Sequence, residues 1–246
     1  MIRINVLRMT VKESEGDEFE TQVREQLRLV TENETGTVLY LFNRRGPDGS
    51  TILPAPPRDH REYIHLMAYT DEAAWTTHFE AEKKWWMPTF QKFMAAPFYT
   101  IGFQQDDVVD AVTRDQAWNP NEMFRFAFHK FRVPDEKAAE FEVEAKHQLQ
   151  IVKEKEPGTV LYSFFRRPKA ASGLLPAPLA NQTEYFHLMA YNSEEAQAHH
   201  RTLEFLTDTW SWGPVFRNFL ASPLENEAFD SSLIIAGITR DANWTA

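Results

Sequence analysis

The chain has 246 residues, 43% hydrophobic and 13% aromatic, with a formal net charge of -10. That is a globular composition, and an acidic chain without a Lys/Arg cluster is a poor match for nucleic acid or an anionic membrane. The absence of cysteine excludes disulfides, thiolate catalysis and Cys-ligated metals. No apolar run approaches a membrane span and Met1-Ile2-Arg3-Ile4 lacks a signal-peptide layout, which together suit a cytoplasmic protein.

In chain order, a first strand over residues 3–11 leads into an amphipathic helix carrying Phe19, Val23, Leu27 and Val30 on one stripe. Gly36 turns the chain into a β-rich strand over 37–43. A loop rich in Pro and Gly follows, ending in Leu53-Pro54-Ala55-Pro56, and a third strand covers 63–69. A short helix from Asp71, an aromatic helix over 86–94 and a closing strand through Ala111-Val112-Thr113-Arg114-Asp115 complete the series.

The same series then begins again. Glu34-Thr35-Gly36-Thr37-Val38-Leu39-Tyr40 returns 122 positions later as Glu156-Pro157-Gly158-Thr159-Val160-Leu161-Tyr162. Glu62-Tyr63-Ile64-His65-Leu66-Met67-Ala68-Tyr69 returns at the same offset as Glu184-Tyr185-Phe186-His187-Leu188-Met189-Ala190-Tyr191. Three blocks in one register, counting the Leu-Pro-Ala-Pro loops, establish a tandem duplication. The reading is α+β, with two ferredoxin-like βαββαβ modules over residues 1–119 and 120–246. The joint near Trp118 and Pro120 is short, so the modules should pack sheet against sheet as a pseudo-dimer. A further homo-oligomer stays open.

The duplicated Gly-Thr-x-x-Tyr blocks, the Tyr69-x-Asp71-Glu72-x-Ala74 and Tyr191-x-Ser193-Glu194-x-Ala196 blocks, and a His on the next helix (His78, His200) resemble the antibiotic biosynthesis monooxygenase superfamily. The resemblance covers both halves and implies a fused dimeric α+β barrel. Double-module chains of this length are similar to oxygenases that tailor aromatic polyketides, including those that open the B ring of angucyclines. In the haem-degrading relatives a His ligates haem ten residues beyond the helix position; Pro88 and Trp210 stand there, which disfavours haem. Asn5 matches the family's pocket Asn that holds oxygen or substrate, whereas its second copy is Ala127. Ala74 and Ala196 stand where the family has another Asn, a departure from the anthrone-oxygenase pattern.

Period-two alternation puts His65 on one strand face with Tyr63, Met67 and Tyr69, and His187 with Tyr185, Met189 and Tyr191. A His among tyrosines is either a general base toward a phenol or a core residue bonded to backbone. His78 and His200 are likewise either pocket groups or helix-surface residues. Trp75, Trp86 and Trp212 are candidates to stack a planar ligand beside their core role, together with Tyr63, Tyr69 and Tyr185. Trp75 becomes Gln197 in the second copy, and His129 appears where the first has Leu7. No metal constellation, phosphate loop or nucleotide fingerprint is written in the chain.

These residues suit an oxygenase acting on a small aromatic substrate, a polycyclic phenol or hydroquinone, with O2 and without metal or haem. His65 or His78 in one module, or His187 or His200 in the other, would take the phenolic proton, and Asn5 would hold oxygen. No cofactor is expected to be tightly bound; reduced flavin from a flavin reductase is the alternative electron source. The competing reading is a non-catalytic aromatic-ligand-binding or scaffold protein, which the loss of Asn5 and Trp75 in the second copy suits. The loops over 46–61 and 168–183 either cover the pocket mouths or clasp the neighbouring module.

Overall fold

A computed structural model describes residues 3–103, 107–118, 125–172, 174–205, 212–230 and 234–241. The first module runs β1 (Arg3–Lys12), α1 (Gly16–Asn33), β2 (Thr37–Arg44), β3 (His60–Tyr69) and α2 (Glu72–Ala81). It continues with a π-helical turn (Glu82–Trp86), α3 (Met87–Gln91), β4 (Tyr99–Phe103), β5 (Val108–Thr113) and β6 (Gln116–Trp118). The second runs β7 (Arg125–Pro134), α4 (Ala138–Lys155), β8 (Thr159–Arg166), β9 (Gln182–Tyr191), α5 (Glu194–Phe205), α6 (Trp212–Arg217), β10 (Glu225–Asp230) and β11 (Ile234–Thr239). The expected boundary at 119/120, Pro120 in the joint and the extra residues before Trp212 lie outside the described residues.

One sheet has the order β4-β1-β3-β2-β11-β6 and the other β10-β7-β9-β8-β5. Each core of four, β4-β1-β3-β2 and β10-β7-β9-β8, is the ferredoxin-like arrangement read from the sequence. The closing strands correct that reading. They do not complete their own modules: β5 pairs antiparallel with β8, and β11 with β2. The physical reason is edge protection. Within each module β4 or β10 covers one edge, and the other edge would expose unpaired backbone groups without the strand lent by its neighbour.

The exchange is pinned by the duplicated Thr-Arg-Asp blocks. Arg114 donates to the Lys153 carbonyl at 3.0 Å and to that of Thr159, at the C-terminal end of α4. Arg240 does the same beneath α1, reaching the Thr31 carbonyl at 3.1 Å and that of Thr37 at 2.6 Å. A cation there satisfies carbonyls that the helix leaves open and complements its dipole.

Strand alternation sorts the core into layers. Ile4, Val6, Leu39, Leu41 and Leu66 of one sheet meet Phe126, Phe128, Leu161, Phe186 and Leu188 of the other. Phe103 touches Phe186 across this layer at 5.4 Å between ring centres, so sheet does face sheet. The opposite faces carry α1 over Tyr40, Phe42 and Tyr63, and α4 over Tyr162, Phe164 and Tyr185. Among the described residues no helix is long and apolar enough to cross a membrane.

The Leu-Pro-Ala-Pro loops clasp rather than cover. Buried Arg45 donates to the Leu53 and Pro54 carbonyls at 3.1 and 2.9 Å and pairs with Glu62 and, across the modules, with Glu227 at 3.0 Å. Ser50 also bonds Glu227, and Leu53 enters the layer between the sheets. Arg167 repeats the pattern with Glu184 and the Leu175 carbonyl at 3.0 Å. Neither loop contributes a lining residue to the cavities described next.

Candidate active site

Each module has a cavity between the helix-covered face of its sheet and the helices after its third strand. In the first, about 220 Å³ is enclosed by Asn5, Leu7 and Met9 of β1, His65, Met67 and Tyr69 of β3, and Trp75, His78, Phe79, Glu82, Trp86 and Phe90 from the helices. Odd-numbered residues of β1 and β3 reach it because the even-numbered ones fill the layer between the sheets. Sequence reasoning therefore found the right face of both strands.

His65 is 1% exposed, stacked on Phe42 at 3.7 Å, and its Nδ1–H donates to the Leu41 carbonyl at 3.0 Å. That bond fixes the tautomer and leaves the Nε2 lone pair pointing out without a partner. Burial drives its pKa down to about 3, against a small opposing effect of the backbone bond, and the charge on His78 lowers it further. His65 is thus a neutral hydrogen-bond acceptor. His187 is built identically, with Nδ1 to the Ser163 carbonyl at 2.8 Å, Phe164 stacked at 4.1 Å and a free Nε2.

His78 behaves in the opposite way. Its Nδ1 lies 2.7 Å from Glu34 and its Nε2 3.0 Å from Glu82. Burial opposes the charge, but the hydrogen bond to Glu34 and the ion pair with Glu82 outweigh it and hold the pKa up at about 9. His200 sits between Glu156 at 2.8 Å and Glu204 at 3.3 Å with the same result. A raised pKa favours the protonated form of both rings and counts against the proton-accepting role expected of them. The carboxylates were missed, although the sequence signalled them: Glu34 and Glu156 head the duplicated Gly-Thr blocks, and His-x-x-x-Glu recurs at 78–82 and 200–204. His78, Glu82 and Trp86 also wall off a neighbouring cavity under α1.

Asn5 pairs across strands with Met67 and Gly102, and its amide makes no hydrogen bond among the described residues. Gly102 gives it room, since a Cβ there would lie 3.3 Å from Asn5 Oδ1. Trp75 stacks on Phe79 at 5.1 Å and lies under the Arg3 guanidinium at 3.7 Å. Tyr69 donates its hydroxyl to the Met67 sulfur at 3.0 Å.

Two expected ligand contacts are corrected. Tyr63 and Tyr185 line neither cavity: Tyr63 donates to Glu20 at 3.1 Å and Tyr185 to Glu142 at 2.8 Å. They share a face with the pocket residues but lie at the far end of the strand, under α1 and α4.

In the second module about 310 Å³ is lined by Arg125, Ala127, His129, His187, Met189, Tyr191, Gln197, His200, Arg201, Glu204, Trp212, Phe216, Leu224 and Asn226. Trp212, expected as a ligand platform, is there, stacked on Phe216 at 4.5 Å. His129 has its ring 5.8 Å from His187, and burial lowers its pKa to about 4 against a hydrogen bond with Asn226. Among the described residues no group of three or more His, Asp or Glu is placed to hold a metal ion.

The antibiotic biosynthesis monooxygenase family model matches residues 2–96 and again 126–208, both halves of this architecture. The chain belongs to that family. Among the solved structures similar to it over its whole length are the following two. One, from Fusobacterium nucleatum and named only provisionally as a monooxygenase, is 14% identical, covers 100% of this chain and 98% of its own, and superposes with a TM-score of 0.71. Another from Lactobacillus acidophilus, named in the same way, is 14% identical over 100% and 97%, with a TM-score of 0.66. At that identity they speak for the fold of a two-module family member. No curated protein matches the chain.

Proposed function

We propose that the first cavity of this antibiotic biosynthesis monooxygenase family member is an oxygenase site for a polycyclic aromatic phenol or hydroquinone of the polyketide type. The observation that carries it is the placement of two hydrogen-bonding groups in one apolar cavity: His65 Nε2, buried without a partner, and the half-buried Asn5 amide. They are diagonal cross-strand neighbours, because Asn5 pairs with Met67, so they lie on the order of 7–8 Å apart, their Cβ atoms somewhat closer. That spacing suits a phenolic hydroxyl donating to His65 while the reacting carbon of the same ring system lies beside Asn5.

Glu82, held beside His78 on the cavity wall, is the carboxylate available to take the phenolic proton. The electron-rich anion then passes an electron to O2, and a peroxide forms at the ring carbon with the Asn5 amide donating to its developing charge. On a carbon bearing two hydrogens, loss of water from the peroxide leaves a carbonyl. One oxygen stays in the product, the other leaves as water, and the substrate supplies all the electrons. Trp75, Trp86 and Phe90 keep bulk water away from the anion.

The test is oxygen uptake with anthrone, which carries such a carbon, with and without a flavin reductase. Uptake above the protein-free control and its loss in Asn5→Ala support the reading. Uptake only with the reductase moves the electron source to reduced flavin. No uptake in either arm, with retained binding, would leave the ligand-binding scaffold.

A further inference from the structure

We infer that the second module's cavity is a separate binding site for a hydroxylated aromatic acid, a ligand class the first cavity is not built to take. Two polar atoms on its wall are buried without a partner: His187 Nε2 and Trp212 Nε1. His187 and Trp212 are each 3% exposed, so these atoms do not simply face bulk water. Because His187 Nδ1–H is spent on the Ser163 carbonyl, its Nε2 accepts; the Trp212 indole donates. An acceptor and a donor beside an aromatic wall call for a planar ligand that brings a hydroxyl group and an acceptor oxygen.

The acid is read from charge. In the first cavity Arg3 is occupied, 3.7 Å over Trp75 and 3.4 Å from Glu72, and Phe79 stands one turn on. In the second, Gln197 replaces the tryptophan, so among the described residues Arg125 has no ring beneath it, and Arg201 replaces Phe79. Neither Arg125 nor Arg201 forms an ion pair among the described residues, and the one carboxylate on the wall, Glu204, is taken by His200 at 3.3 Å. Two uncommitted guanidiniums on a chain of net charge -10 form a local site for a carboxylate.

The probes are 1-hydroxy-2-naphthoate and 1-naphthol, which lacks the acid, titrated calorimetrically into the intact protein. Hydroxynaphthoate should saturate one site, and Arg201→Phe, which copies the first module, should weaken it about tenfold while leaving naphthol unchanged, as loss of one charge-assisted contact requires. Asn5→Ala should leave hydroxynaphthoate affinity at the parent value, which separates this site from the first. Arg201 is exposed, so the variant should fold; Arg201→Glu provides a second version, with melting temperatures checked for both. No saturable hydroxynaphthoate binding up to about 1 mM overturns the inference. So does affinity unchanged in both Arg201 variants, or lost equally in Asn5→Ala. None of these outcomes depends on oxygen chemistry.

Discussion

His78 and Glu34 lie 2.7 Å apart, and the same pair recurs 2.8 Å apart as His200 and Glu156. Each Glu also accepts from a threonine of the Gly-Thr turn, Thr37 at 2.9 Å and Thr159 at 2.8 Å. The duplicated motif is thus an anchor that ties the start of β2 or β8 to the helix roofing the cavity.

This anchor sets a pH optimum for stability. His78 and His200 have folded pKa values of about 9 against 6.5 unfolded, so their contribution is fully present below 6.5 and is lost as pH rises through 9. His65 at about 3 and His129 at about 4 work the other way, because the unfolded chain binds their protons first as pH falls below 6.5. Urea midpoints should therefore peak near pH 6.5 and fall on both sides. His78→Gln should flatten the alkaline limb by a few kcal/mol and leave the acid limb in place. An alkaline limb unchanged in that variant would refute the anchor.

Asn5→Ala copies the second module at Ala127. Losing one amide donor to a developing oxyanion in a water-excluded site costs about 3 kcal/mol, so anthrone turnover should drop on the order of a hundredfold. Among the described residues the amide makes no hydrogen bond, so the unfolding midpoint should barely move. A large loss of stability with unchanged turnover would return Asn5 to a structural role.

Glu227 bridges the modules at buried Arg45. Glu227→Gln leaves part of that guanidinium charge uncompensated, with Glu62 remaining, and should cost about 1–3 kcal/mol in unfolding free energy. Deleting residues 48–52 should likewise lower stability and leave the affinity for aromatic ligands unchanged, since the loop lines neither cavity. A weakened affinity in a stable deletion variant would reinstate the loop as a cavity cover.

The sequence disclosed the duplication, the strand faces and the placement of Asn5, His65, Trp75 and Trp86, because local periodicity and internal comparison fix those. It misled at Tyr63 and Tyr185. Alternation assigns a face but not which helix covers each part of it, and a strand from Tyr63 to Tyr69 runs about 20 Å. It placed Glu82 one helical turn from His78 but not Glu34 beside it, because Glu34 comes from a different element and only the fold brings the two together. It also could not reveal the strand exchange: β5 suits either sheet locally, and the choice depends on which edge is open.

That exchange yields the last prediction. A fragment of residues 1–119 contains β1 to β4 and the departing β5, but lacks β11, which covers the edge of β2. In the intact chain β5 meets β8, whose sequence closely repeats that of β2, in matching antiparallel register: Val112 opposite Tyr162, as Ile238 is opposite Tyr40. Two copies of the fragment can therefore satisfy each other, each lending β5 to the other's β2, and the apolar face carrying Ile4, Val6 and Leu41 would be buried as well. The fragment should elute as a homodimer, with dissociation coupled to unfolding. Arg114→Ala should weaken that dimer, because its guanidinium reaches helix C-terminal carbonyls on the receiving module. A folded, monodisperse monomer of the fragment would show that the exchanged strand is dispensable, and the account of edge protection would fail.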